Sequence, residues 1–149
     1  MKVKLRVSQN RMDEVMKELE KHGIEIDEKA DLILSEEETT LEYLPVRDLK
    51  GDRIRIAAAD IIYIESYGHD VYVHTREGRF DCQDRLYQLE QNLDKKVFIR
   101  VSNSAIISRR YLKKIRPALS MKFVLTMADG TLVDVTRSYY TAFKQFMNI

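Results

Sequence analysis

The 149-residue sequence predicts a mainly β fold with short helices, preceded by a small α/β unit. Three observations carry this. From residue 41 onward, short apolar runs recur between turn residues, the pattern of many short strands. Residues 1–34 instead read strand, helix, strand. Between the two, Ser35-Glu36-Glu37-Glu38-Thr39-Thr40 is polar and acidic, the best boundary in the chain. The division expected is therefore 1–40 and 41–149.

In the first unit, Val3, Leu5 and Val7 alternate with polar residues, as in a half-buried strand. Ser8 and Asn10 are N-cap candidates, and Met12, Val15, Met16 and Leu19 recur at helical spacing. Met12 and Met16 read as core filler. Gly23 suits the residue just past the helix. Ile24 and Ile26 begin a strand, and Leu32, Ile33 and Leu34 make another. A unit this short is too small to be stable alone, so it is expected to pack on the main domain or on a second copy of itself.

In the second unit, residues 41–46 are apolar, with Pro45 pointing to an edge strand. Ile54 and Ile56 alternate with arginines. Ile61-Ile62-Tyr63-Ile64 is a strand that the polar stretch 65–70 is expected to break, and 71–75 returns. Arg76-Glu77-Gly78 is a hairpin turn. Asp84 is placed to cap a helix whose Leu86, Leu89 and Leu93 share one stripe. Residues 122–127 and 132–135 flank the turn Ala128-Asp129-Gly130-Thr131. A last helix buries Tyr139, Phe143 and Phe146.

Composition narrows the function. The net charge of +1 is unevenly spread: residues 1–50 carry 9 Lys/Arg against 13 Asp/Glu, residues 51–97 carry 7 against 9, and residues 98–149 carry 9 against 2. A basic last third behind an acidic start points to a polyanion-binding part joined to a part with another task. The single cysteine, Cys82, precludes an internal disulfide, and its thiol reads as a small, partly buried side chain. With no signal peptide at Met1-Lys2-Val3-Lys4, the cytoplasm is the expected location. There is no Gly-rich phosphate loop, Cys-x-x-Cys or His-x-x-x-His. His69 and His74 tend to opposite strand faces, and no nucleophile–base pair has recognisable spacing. An enzyme, a metal site and a cofactor are not expected.

The stretch Phe98-Ile99-Arg100-Val101-Ser102-Asn103-Ser104-Ala105-Ile106-Ile107 holds the candidate chemistry. Two apolar runs flank Ser102, Asn103 and Ser104, with Arg100 before them and Arg109 and Arg110 after. Read blandly, this is a solvated turn between core strands. Beside arginines that hold phosphates, the same small polar side chains can read base edges.

Four segments resemble the LytTR DNA-binding domain of bacterial transcription regulators. They are Asp60-Ile61-Ile62-Tyr63-Ile64-Glu65-Ser66, Leu86-Tyr87-Gln88-Leu89-Glu90, the 98–107 stretch, and Asp129-Gly130-Thr131-Leu132-Val133-Asp134-Val135-Thr136-Arg137-Ser138-Tyr139. Each alone is weak, but the ordered set, spread over about residues 46–149, is specific. The resemblance implies an elongated β fold whose loops, rather than a recognition helix, enter successive major grooves of duplex DNA. His69, Asn103 and Arg137 match the family's DNA-facing places. Arginine can donate twice to guanine, asparagine can pair with adenine, and a loop histidine can reach a base or phosphate. Arg100, Ser102, Ser104 and Ser138 are then phosphate-contact candidates.

There are departures. Family members often carry a histidine and a basic residue where this chain has Ser102 and Asn103, and Ile107-Ser108 replaces a common Val-Asn pair. This points to weaker nonspecific attraction, or to phosphate contacts moved to Arg109, Arg110 and Lys113. The family's usual phospho-receiver domain does not fit in the first 45 residues, so phosphorylation control is not expected. The reading is a sequence-specific DNA-binding transcription regulator, a homodimer on double-stranded DNA, with residues 1–40 as oligomerisation surface or contact for a signalling partner. The alternatives are an adaptor whose basic third docks an acidic partner, and an RNA-binding β domain, which would normally show stacking aromatics on an exposed sheet.

Overall fold

The computed structural model describes residues 1–36 and 40–149. It divides into two compact units, residues 1–39 and 40–149. Half of the polar run read as a boundary, residues 37–39, lies outside the described residues. Its first residue, Ser35, ends a strand.

The first unit holds β1 (Lys2–Arg6), α1 (Gln9–Lys21), β2 (Glu25–Ile26) and β3 (Leu32–Ser35). Both short strands pair parallel to β1, giving the order β2-β1-β3. Gly23 ends the helix at φ 69°, a left-handed conformation open to glycine without the Cβ clash, and its N–H donates to the Glu20 carbonyl at 3.1 Å. Ser8 occupies the N-cap position but makes no side-chain cap bond. The helical stripe is only half-buried at Met12, Val15 and Leu19, and Met16 is 44% exposed. Met16 is therefore not the core filler its spacing predicts.

The second unit is mainly β. A seven-stranded sheet runs in the order β5-β4-β8-β7-β6-β10-β9. Its strands are β4 (Tyr43–Arg47), β5 (Arg53–Ala57), β6 (Tyr63–Tyr67), β7 (Asp70–Thr75), β8 (Gly78–Cys82), β9 (Phe98–Ser102) and β10 (Ala105–Ser108). A three-stranded antiparallel sheet follows, of β11 (Leu112–Ala118), β12 (Lys122–Met127) and β13 (Leu132–Val135). Two helices complete it, α2 (Leu86–Asn92) and α3 (Arg137–Met147).

The continuous apolar runs of the sequence have a packing cause. Successive side chains of a strand point to opposite faces. In β6, Ile64 joins a core with Val73, Phe80 and Ile106 beneath α2, whose Leu86 and Leu89, with Leu93 just past it, are buried. Its neighbour Tyr63 joins a second core with Val101, Ala105, Ile107, Leu125, Val135 and Phe143. Strands β6 and β10 are thus covered on both faces, so both alternating sets are apolar. Phe123 stacks on Tyr140 with ring centroids 4.9 Å apart and ties α3 to the smaller sheet.

Three local expectations are corrected. Pro45 lies in β4, which stands between β5 and β8 rather than at the edge. Its registered pairing to β8 is confined to Arg47 opposite Asp81, so the proline meets no ladder on that side. Residues 65–70 do not break the strand: Glu65, Ser66 and Tyr67 stay in register with Tyr72, Val71 and Asp70, and only Gly68 and His69 form the turn. Their backbone pairing outweighs their polarity. The N-cap of α2 is Arg85, not Asp84, and the Arg85 N–H donates to Gln88 Oε1 at 2.9 Å. Phe143 alone in α3 is fully buried, with Tyr139 and Phe146 half-buried.

Candidate nucleic-acid interface

Three polar connections open at one end of the second unit. The β6–β7 turn is Gly68-His69, with Gly68 at φ 58°, as the first position of a type II′ turn demands. His69 is exposed. The β9–β10 turn is Asn103-Ser104, since Ser102 pairs with Ala105. It lies beside the first: Ala105 is in register with Glu65, and the Ser66 N–H donates to the Ser104 carbonyl at 2.9 Å. The third is the entry to α3. The Thr136 N–H donates to the Val101 carbonyl at 3.0 Å, which brings Arg137 and Ser138 to the same end.

The middle turn is held from several sides. Arg100 Nε donates to the Ser102 carbonyl at 3.1 Å and Nη2 to the Asn103 carbonyl at 2.7 Å. Its Nη1 meets Glu90 Oε2 on α2 at 3.2 Å. Ser102 is buried, and its hydroxyl accepts the Ser104 N–H at 3.1 Å. The Tyr139 hydroxyl donates to Asn103 Oδ1 at 3.1 Å. Asn103 and Ser104 remain exposed.

Arg137 is the first residue of α3 and is exposed. The described residues offer it no hydrogen bond or ion pair. A cation at a helix N-terminus opposes the helix dipole, so its position contributes nothing to folding. The adjoining hairpin reaches the same end. Phe123 is opposite Val135, so Lys122, one residue earlier in β12, stands beside Thr136.

The structure therefore brings together His69, Asn103, Ser104, Arg137 and Ser138. Arg100 and Ser102 lie beneath the surface they form. Arg109 and Arg110 fall past the far end of β10, roughly 13 Å along the strand from Asn103. Lys113 sits near the start of β11, opposite the Met127 end of β12, also away from Arg137. Sequence reasoning missed Tyr139 and Lys122 as members of this end. Tyr139 is 36 residues from Asn103, and no local pattern announces that contact.

Other reactive groups do not form a second site. Cys82 is buried, and burial pushes its thiol above the usual range. Burial likewise raises the Tyr63 phenol, whose ring stacks on His74 at 4.1 Å. His74 Nε2 lies 2.8 Å from Glu65 Oε1, on neighbouring strands. Among the described residues no cluster of His, Cys, Asp and Glu is arranged to hold a metal ion.

A family model described as the LytTr DNA-binding domain matches residues 51–148. The sensory transduction protein LytT of Bacillus subtilis is 32% identical over 90 residues, 60% of this chain and 37% of that protein. The CO-responsive transcriptional regulator RcoM of Rhodospirillum rubrum is 32% identical over 95 residues, 63% of this chain and 40% of that protein. The chain thus covers about two fifths of the length of these relatives. A solved LytTr DNA-binding domain from Bacillus cereus superposes with a TM-score of 0.69 at 26% identity, covering 73% of this chain and 99% of that one.

Proposed function

The chain belongs to the LytTR DNA-binding domain family, and from that premise we propose that it is a sequence-specific, non-enzymatic transcription regulator that reads duplex DNA through the turns at one end of its second unit. The observation that carries this is the convergence of His69, Asn103 and Arg137 on one end of the sheets, each exposed and each on a different connection. Arg137 has the donors for a guanine edge, and Asn103 the donor and acceptor for an adenine edge. His69 reaches a base or a phosphate. Ser104 and Ser138 supply hydroxyls for phosphates between these readers. In this reading the turns, ranged along one end of the sheets, enter the major groove of the duplex, and successive grooves as the family resemblance implies.

The protein works as a homodimer in this reading, joined through residues 1–40. In that unit Val3 and Leu5 are buried, whereas Leu32, Ile33 and Leu34 of the edge strand β3 are 53%, 62% and 39% exposed. An uncharged, apolar edge strand is a template for pairing with another strand. Two protomers on one face of the duplex require half-sites about 10–10.5 bp apart. A signalling protein is the other occupant of that unit. The described residues contain no helix long and apolar enough to cross a membrane, which fits the cytoplasmic location we assign.

The test is selection of bound duplexes from a random pool. Recovery of a repeated motif with fixed half-site spacing is expected, with binding that weakens log-linearly with salt. Recovery of unrelated sequences, or equal binding to single strands, would refute the reading.

A further inference from the structure

Asn103 can read a base only if its amide presents a fixed face. The terminal amide torsion of asparagine is broad and roughly two-fold. An exposed amide is therefore free to exchange its oxygen and nitrogen, which reverses its donor and acceptor. In this structure its oxygen is engaged. The Tyr139 hydroxyl, from the first turn of α3, donates to Oδ1 at 3.1 Å. That bond uses one lone pair of the oxygen. It leaves the other lone pair and both amide hydrogens for a partner, the pattern that matches adenine N6–H and N7.

The backbone beneath the amide is fixed as well. Arg100 places three of its guanidinium nitrogens on protein acceptors: the Ser102 carbonyl, the Asn103 carbonyl and Glu90 Oε2. Its side chain is 20% exposed. The Ser102 hydroxyl is turned inward onto the Ser104 N–H. An arginine forked in this way is committed to the turn, and its charge is already met by a carboxylate.

We propose that Tyr139 is a positioning residue that sets the base preference of Asn103. In the same arrangement Arg100 and Ser102 shape the turn rather than touch DNA. This rests on the reading that Asn103 contacts a base. It differs from that reading in assigning specificity to a residue that itself meets no nucleotide.

The experiment compares full-length Tyr139→Phe, Asn103→Ala and the double variant. Each is titrated against the selected duplex, its single-base variants and a random duplex at several salt concentrations. Tyr139→Phe keeps the ring and removes one hydrogen bond. It is expected to lower the preference at one base pair by roughly threefold to tenfold. Affinity for random duplex and the salt slope should stay unchanged. Asn103→Ala should abolish preference at that same base pair, and the double variant should lose nothing more. If Asn103→Ala removes the preference but Tyr139→Phe keeps it, the inference fails while Asn103 remains a reader. If Asn103→Ala changes no preference, both fall together. A uniform loss on all duplexes in Tyr139→Phe would also overturn it. Arg100→Gln supplies a second readout. A positioning arginine leaves the salt slope unchanged, whereas a phosphate contact lowers it by about one. A lowered slope would overturn the assignment of Arg100.

Discussion

Arg137→Ala should move stability and binding in opposite directions. Arg137 opens α3, is exposed, and has no acidic residue in the first turn to offset its charge. A cation there opposes the helix dipole by about 0.3–1 kcal/mol at low ionic strength. Alanine removes that cost, so the free protein should gain a few tenths of a kcal/mol, a rise of about 1–4 °C in Tm for a domain of this size. On the selected duplex, if Arg137 reads a guanine as proposed, the same change costs about 1–3 kcal/mol. That is a loss of roughly 5- to 150-fold in affinity. Thermal melts of the free protein and anisotropy titrations at one low salt concentration measure both. A destabilised free protein would show that Arg137 has a folding role absent from the structure. An equal loss on specific and random duplex would show that it holds a phosphate and reads no base.

Two further predictions concern the ends of the molecule. Arg110 and Lys113 lie away from Asn103 and Arg137, so Arg110→Ala and Lys113→Ala should leave base preference intact, and a salt slope lowered by about one in either would place a phosphate beside that residue. A shift in the preferred base would contradict that placement. Deleting residues 1–38 should leave a folded domain that binds one half-site but has lost cooperative binding to the double site, and Ile33→Lys in the full chain should do the same by charging the exposed β3 edge. Cooperative binding that survives both changes would assign the unit to a signalling partner instead.

Much of the second unit was legible because its signals are local. Gly78 and Gly130 take positive φ at the turns their sequence marks, and Leu86, Leu89 and Leu93 are buried on the face their spacing predicts. The misses arise where pairing overrides polarity. Glu65 and Ser66 read as a break, yet remain strand because β7 pairs with both, while Ala105 of β10 pairs with Glu65 and the Ser104 carbonyl accepts the Ser66 N–H. The same limit applies to the interface. Asn103 is identifiable as an exposed amide beside arginines, but Arg100 reads from sequence as a free cation. Its partner Glu90 comes from α2, and only the fold brings the carboxylate to it. A charge count over residues 98–149 therefore overstates the cations available to DNA.

The features that folding alone does not favour collect at the end where the three turns converge. Arg137 faces the wrong pole of its helix. Register puts Lys122 beside Thr136, so the β11–β12 tip projects there too. At that tip Ser120 and Met121 adopt φ of 64° and 58°, a region disfavoured for residues with a Cβ, and Leu119 is 91% exposed. The opposite hairpin, at Asp129-Gly130, uses glycine at φ 87° and an aspartate bond to the Thr131 N–H, and carries no such strain. The Asp129-Gly130 turn is thus built without backbone strain. The other end retains an opposed charge and a strained tip, and backbone strain and function often coincide. That contrast follows from backbone geometry and helix electrostatics, and it singles out the end that carries His69, Asn103 and Arg137 independently of the residues' resemblance to DNA readers.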